Sequence, residues 1–189
     1  QNQFIPAVLD QRDVLSYARD GSGQCDALLQ ATIHQQYSQP TDSITHIILT
    51  PTSEHASWLN GRLQRLSGGS VRTRVIAGSG NTDTDEKPTL IIATPDHLAQ
   101  AILQDNLHLK HLSMLALDNA DQFTALGLQP VITKIASGIP TQRQTIILGT
   151  TPSAQIAAIS EELQQSPLKL SVSPSKEDPS GIAQRAWPV

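Results

Sequence analysis

The stretch ARDGSGQC, residues 18–25, has the outline of a loop that wraps phosphates. Such loops hold phosphate oxygens with backbone N–H groups and a helix N-terminus, and Gly21, Ser22 and Gly23 offer that backbone. Two side chains break the pattern. Gln24 is neutral where a lysine would neutralise the outer phosphates, and Cys25 presents a soft sulfur where a hydroxyl would face a hard cation. Asp20 adds negative charge beside Gly21. Taken alone, a GSG turn before a helix is a weak signal, and a plain glycine turn explains it as well. A loop without its lysine can also close, with Asp20 or a side chain of the following helix in the phosphate space.

A second acidic stretch, LALDNAD (115–121), follows an apolar run. Asp118 and Asp121 suit capping of the turn after a strand, and would do so whether or not metal binds. Arg62, Arg65, Arg72 and Arg74 lie in a stretch with no acid near in sequence. They form either a basic patch or an ordinary solvated surface. Trp58, beside Leu59 and ahead of Leu63 at helical spacing, reads as packing, with base stacking as the alternative. The six histidines show no convincing metal spacing. His108 and His111 are three apart in a loop-like setting and read as structural or exposed.

The elements that position these residues follow from apolar periodicity. Residues 13–18, 45–50, 71–77, 89–94, 112–118 and 144–149 read as strands, several of them apolar throughout. SEHASWLNGRLQRL, PDHLAQAILQ and PSAQIAAISEELQQ carry helical spacing, two of them opening at proline. Continuous apolar strands alternating with helices imply an α/β fold: a parallel sheet of about six or seven strands, covered on both faces. In such sheets ligands gather at the carboxyl ends of the strands, where the chemically informative stretches fall. The expected domain runs from Gln1 to about residue 172. The Pro- and Ser-rich residues 173–189 read as a linker.

Composition narrows the class. The chain has 189 residues, 38% hydrophobic and 16% charged, which suits one globular domain. A net charge of -4 gives no support from composition for nucleic-acid binding. The single cysteine, Cys25, excludes an internal disulfide and fits a reducing compartment. No apolar run reaches membrane-spanning length and no signal-peptide pattern opens the chain. A first residue of Gln1 rather than Met suggests a piece of a longer protein.

In order and spacing, the strand-end stretches resemble the motifs of the N-terminal RecA-like domain of DEAD-box RNA helicases. QNQFIPAVLDQRDVL is similar to the Q motif, which would make Gln1 the adenine-reading glutamine. ARDGSGQC resembles motif I, LTPTSEHA motif Ia, IIATPDHL motif Ib, LALDNAD motif II and RQTIILGTT motif III. The resemblance covers essentially the whole chain. It implies a RecA-like sheet of the P-loop NTPase type, with an ATP site at Gln1, Gly21, Ser22, Gly23, Gln24 and Cys25. It also implies RNA contacts at Pro51, Thr52, Gly78, Thr94 and Pro95, and a second RecA-like domain in the full-length chain.

The departures from the family matter as much. Asp118 stands where the magnesium-associated aspartate lies, but Asn119 replaces the glutamate that activates water. Loss of a general base alone costs about 10²- to 10⁴-fold. Motif III reads Gly149, Thr150, Thr151 in place of Ser-Ala-Thr. Ser53 replaces the arginine of motif Ia, while Asp96 and His97 replace the glycine and arginine of motif Ib. These substitutions imply a pseudo-helicase: no functional catalytic residue, no resident metal or cofactor, and at most weak binding of ATP with magnesium. The expected role is a binding or scaffolding module in RNA metabolism, contacting protein, RNA or both, with no membrane. The setting is intracellular, cytoplasmic ahead of nuclear. The alternative is a working ATP-dependent RNA helicase completed by its second domain. An unrelated small-molecule α/β domain would have to match the ordered motifs by chance, and is set aside.

Overall fold

The computed structural model describes residues 3–78, 87–104 and 107–171. Seven strands form one sheet: β1 Val14–Tyr17, β2 His46–Leu49, β3 Thr73–Ile76, β4 Leu90–Ala93, β5 Met114–Leu117, β6 Gln144–Gly149 and β7 Leu168–Ser171. Their spatial order is β3-β4-β2-β5-β6-β1-β7, and every neighbouring pair is parallel. Strands β2, β4, β5 and β6 are buried along their whole length, because apolar side chains are needed on both faces of a sheet sandwiched by helices.

Alternation of side chains splits the core in two. Val14, Ile48, Ile92 and Ile146 face one cluster, built with helices α1 Phe4–Leu9, α2 Gln24–Ser38 and α3 Ser53–Ser67. Leu15, Ile47, Leu49 and Ile147 face the other, built with α4 Pro95–Leu103, α5 Ala120–Ala125, α6 Gln129–Ser137 and α7 Ala154–Leu163. The α/β parallel-sheet expectation holds, with helices on both faces.

Local chemistry explains where the helices begin. Gly23 precedes α2 at φ 79°, a left-handed conformation that suits glycine. Thr52 caps α3 by accepting from the His55 N–H, and Ser153 caps α7 by accepting from Ile156. Pro95 opens α4, where its missing N–H costs nothing.

Two differences from the sequence reading have physical causes. Strand β7 was not expected, because LKLS is an edge strand of half-exposed alternating residues rather than an apolar run. It pairs with β1, so Ser171 belongs to the sheet. Helix α1 is one short turn-and-a-half within the stretch read as a motif leading into a strand. Asp13 then ties this corner together, accepting from Thr145 N and Gln165 N at 2.6 Å each. Gln1 and residues 173–189 lie outside the described residues.

Candidate functional site

All strands being parallel, their carboxyl ends share one edge of the sheet, and sheet order divides that edge into two halves. The loops after β1, β5 and β6 are neighbours, and so are those after β3, β4 and β2. Over the first half lies a cavity of about 430 Å³. The loop residues Gly21, Ser22, Gly23, Gln24 and Cys25 line it, with Asp118, Asn119, Gly149 and Thr150 from the β5 and β6 ends. The residues expected to form a nucleotide site, Gln1 apart, are therefore brought together.

The replaced side chains have new partners. Gln24 does not point outward as a phosphate-binding cation would. Its Oε1 accepts from Ser16 Oγ at 2.8 Å, and its Nε2 donates to the Gly149 carbonyl at 3.3 Å. It thus bridges β1 and β6 beneath the loop. Asp20 is exposed, so the loop has not closed as anticipated: the side chain of the following helix turns down onto the sheet and the cavity stays open.

Asp118, its side chain 7% exposed, is held by His55, whose Nε2 donates to Oδ2 at 2.8 Å. The carboxylate also accepts from Cys25. Burial first, then the charge of Asp118 and this hydrogen bond, push the Cys25 thiol up. Cys25 is consequently held in its thiol form.

Capping of their own turn, the structural alternative for Asp118 and Asp121, is not the role their side chains take. Asn119 is the residue before α5, at φ 65° and ψ 56°, and no side chain caps that helix. Asparagine tolerates this left-handed conformation better than most residues. Asp121 instead reaches across to β6, accepting from Thr150 N at 2.6 Å and Thr151 N at 3.3 Å. Gly149 permits the approach. A Cβ there would lie 3.2 Å from both Asp121 Oδ2 and Ile156 Cδ1.

Helix α3 contributes a whole face that the sequence reading assigned elsewhere. His55, Trp58, Arg62 and Arg65 recur at helical spacing and all line the cavity. Trp58 is not packing: it is 51% exposed, with its ring 5.5 Å from that of His55. Arg62 and Arg72 meet acids that are distant in sequence but close in the fold. Arg62 grips Asp26 with two bonds of 2.9 and 2.7 Å, and Arg72 meets Asp42 at 2.9 Å. The spacing from Thr52 through His55 to Trp58 and Arg62 was a readable signal for a second, polar stripe on this helix. What it lacked was any indication that the stripe faces Asp118.

The other half of the edge holds the residues expected to touch RNA. Pro51 is buried and Thr52 is engaged in its cap. Gly78 sits at φ 69°, with Ser53 Oγ 3.4 Å from where a Cβ would be. Thr94 Oγ1 lies 2.8 Å from His97 Nδ1, and Pro95 begins α4. Asp96 is exposed beside them. Among the described residues no group of three or more His, Cys, Asp or Glu side chains is placed to hold a metal, His108 and His111 included.

The DEAD/DEAH box helicase family model matches residues 1–159. The chain belongs to that family. It is 30% identical over 187 residues to the ATP-dependent rRNA helicase RRP3 of Pyricularia oryzae, covering 94% of this chain and 34% of that protein. With the DEAD-box ATP-dependent RNA helicase RhpA of Helicobacter pylori it shares 26% over 196 residues, 100% of this chain and 39% of RhpA. The crystal structure of a DEAD box protein from the hyperthermophile Methanococcus jannaschii superposes with a TM-score of 0.80. That match is 20% identical and covers 90% of this chain and 48% of the other, which establishes the fold. The chain thus spans little more than a third of these curated relatives, and corresponds to the N-terminal RecA-like domain of the DEAD-box architecture. No described helix is long and apolar enough to cross a membrane.

Proposed function

We propose that this DEAD-box domain has lost ATP hydrolysis and serves as a binding or scaffolding module in RNA metabolism. One observation carries the reading: the side chains at the phosphate and metal positions are consumed by internal bonds. Gln24 is spent on Ser16 and Gly149, and the Asp118 carboxylate on His55 and Cys25. In a phosphoryl-transfer site a lysine and a metal ion offset phosphate charge while a base orients water. Here Gln24 carries no charge, Cys25 is a poor partner for a hard cation, and the Asn119 amide cannot take a proton. These residues do not fit a magnesium–nucleotide complex, and no catalytic step is assigned to them.

Partners follow from the same chemistry. A second RecA-like domain beyond residues 173–189, acting as linker, is consistent with relatives roughly twice to three times as long. Single-stranded RNA should bind the domain poorly, because Ser53, Asp96 and His97 leave that half of the edge without fixed positive charge, and phosphate contacts dominate such affinity. A protein partner is therefore favoured over RNA alone, in an intracellular setting.

A second reading has its own support. The Asp121 link to Thr150 and Thr151 and the open cavity of about 430 Å³ preserve the frame of a working site. Relatives of this chain are described as ATP-dependent RNA helicases. An ATPase assay of the full-length chain with and without RNA separates the two. No turnover is expected, and turnover stimulated by RNA would restore the helicase reading. Gln24→Lys, Cys25→Thr and Asn119→Glu made together in the full-length chain should regain hydrolysis if these positions are what was lost.

A further inference from the structure

His55 meets the carboxylate that would face a metal from outside the phosphate-type loop, and its placement is heavily braced. Its backbone N–H is held by Thr52 Oγ1 at 3.2 Å. Its ring lies against Trp58, one turn along α3, at a centroid distance of 5.5 Å and a tilt of 38°. Its Nε2 donates to Asp118 Oδ2 at 2.8 Å, and the imidazole is largely covered while the carboxylate is almost wholly so. Because a carboxylate accepts, this bond needs a proton only on Nε2 and persists whichever form the other ring nitrogen takes.

Magnesium takes oxygen ligands in near-octahedral array, several of them waters, and manganese likewise favours carboxylate, carbonyl and water oxygens. The neighbours of Asp118 are instead an imidazole N–H and a thiol, neither of which offers an oxygen. A cation reaching Asp118 must displace a hydrogen bond from a buried carboxylate, with Cys25 unable to replace what is lost. We propose that His55 is a built-in plug of the cation position: it determines that this pocket excludes hard divalent cations of the magnesium class, so that any ligand entering the cavity does so without one. The proposal rests on the reading above that metal-assisted chemistry is lost, and assigns to a residue outside the replaced motif positions the task of keeping the site closed to metal.

The probe is manganese ion alone, added to the 189-residue chain at fixed pH and read by paramagnetic broadening of the Trp58 indole N–H signal. Wild type should show little broadening. His55→Leu, which keeps bulk but removes the donor, should bind manganese about tenfold more tightly, the scale on which neighbouring groups set metal affinity at a carboxylate. His55→Leu with Asp118→Asn should return to the wild-type response, and His55→Gln, which retains a donor, should stay near it. His55→Ala replaces the leucine variant if that one does not fold. Equal broadening in wild type and His55→Leu overturns the plug, as does a gain that survives Asp118→Asn. The two readings fail separately: ATP hydrolysis by the full-length chain refutes lost catalysis, whereas manganese at Asp118 without hydrolysis refutes only the plug.

Discussion

The two halves of the strand-end edge are bonded in different ways. Around the cavity the polar side chains reach partners far along the chain: Gln24 to Gly149, His55 to Asp118, Asp121 to Thr150. On the other half the threonines that lead into helices bond within one helical turn, Thr52 to His55 and Thr94 to His97. Positions expected to line a nucleotide site stitch β1, β5, β6 and α3 together. A buried polar atom must find some partner, and here those partners lie within the fold. In the other half, among the described residues, these two threonines bond locally, and Thr52 alone of the two caps its helix.

Acid breaks both halves at once, from a third place. His46 begins β2 at the opposite end of the sheet, and burial lowers its pKa to about 4. Its Nδ1 lies 2.7 Å from Gln36 Nε2 and its Nε2 lies 3.0 Å from Gln35 Oε1, a neutral ring with its proton on Nε2. The unfolded chain takes up the proton below the ordinary value of 6.5 while the folded chain resists until about 4. Stability is therefore full above pH 6.5 and falls as pH drops from 6.5 towards 4, by on the order of 3 kcal/mol. Urea denaturation at pH 7.5, 5.5 and 4.5 measures the loss, and His46→Gln should flatten it. Comparisons between the halves accordingly belong above pH 6.5.

At neutral pH the sharpest contrast comes from Asp121→Ala. It strands two backbone N–H groups that the carboxylate now satisfies, and charge-assisted bonds of this kind are worth more than neutral ones. The expected cost is about 2 kcal/mol, read as a lower urea midpoint with an unchanged slope. Gln24→Ala should cost less, about 1 kcal/mol, since it leaves the buried Ser16 hydroxyl without its acceptor but installs a better helix former at the start of α2. If both changes were neutral, the cavity half would not be stitched, and the comparison would collapse.

Much of this was legible in the sequence, and the misses share one cause. Continuous apolar runs such as HIIL and LIIA identify doubly covered parallel strands, so the sheet and its strand-end loops could be read directly. Edge strand β7 escaped because half its side chains are exposed and its pattern is polar. The composition of the cavity could be read from the motif order, but its bonding could not. His55 with Asp118, Arg62 with Asp26 and Gln24 with Gly149 join residues separated by 63, 36 and 125 positions. Periodicity reports which face of a helix is polar; only the packing of α3 beside the loop reports what that face meets.

The smallest effect makes the finest test, and it concerns two threonines that look alike in sequence. Thr52 and Thr94 each precede a helix in extended conformation after a buried strand. Thr52 is a working cap, accepting from the His55 N–H, and its loss also loosens the helix start that carries His55. Thr52→Val should cost about 1 kcal/mol. Thr94 makes no side-chain cap to its helix, and its hydroxyl instead meets His97, a half-exposed ring that water can serve in its place. Thr94→Val, nearly the same shape in a buried position, should change stability by less than about 0.5 kcal/mol. Thermal melts of the two variants at pH 7.5 decide the matter. Equal losses would mean that the hydroxyls on this half are structural after all; a difference in favour of Thr52 would leave the Thr94 hydroxyl as a polar group the fold itself does not require.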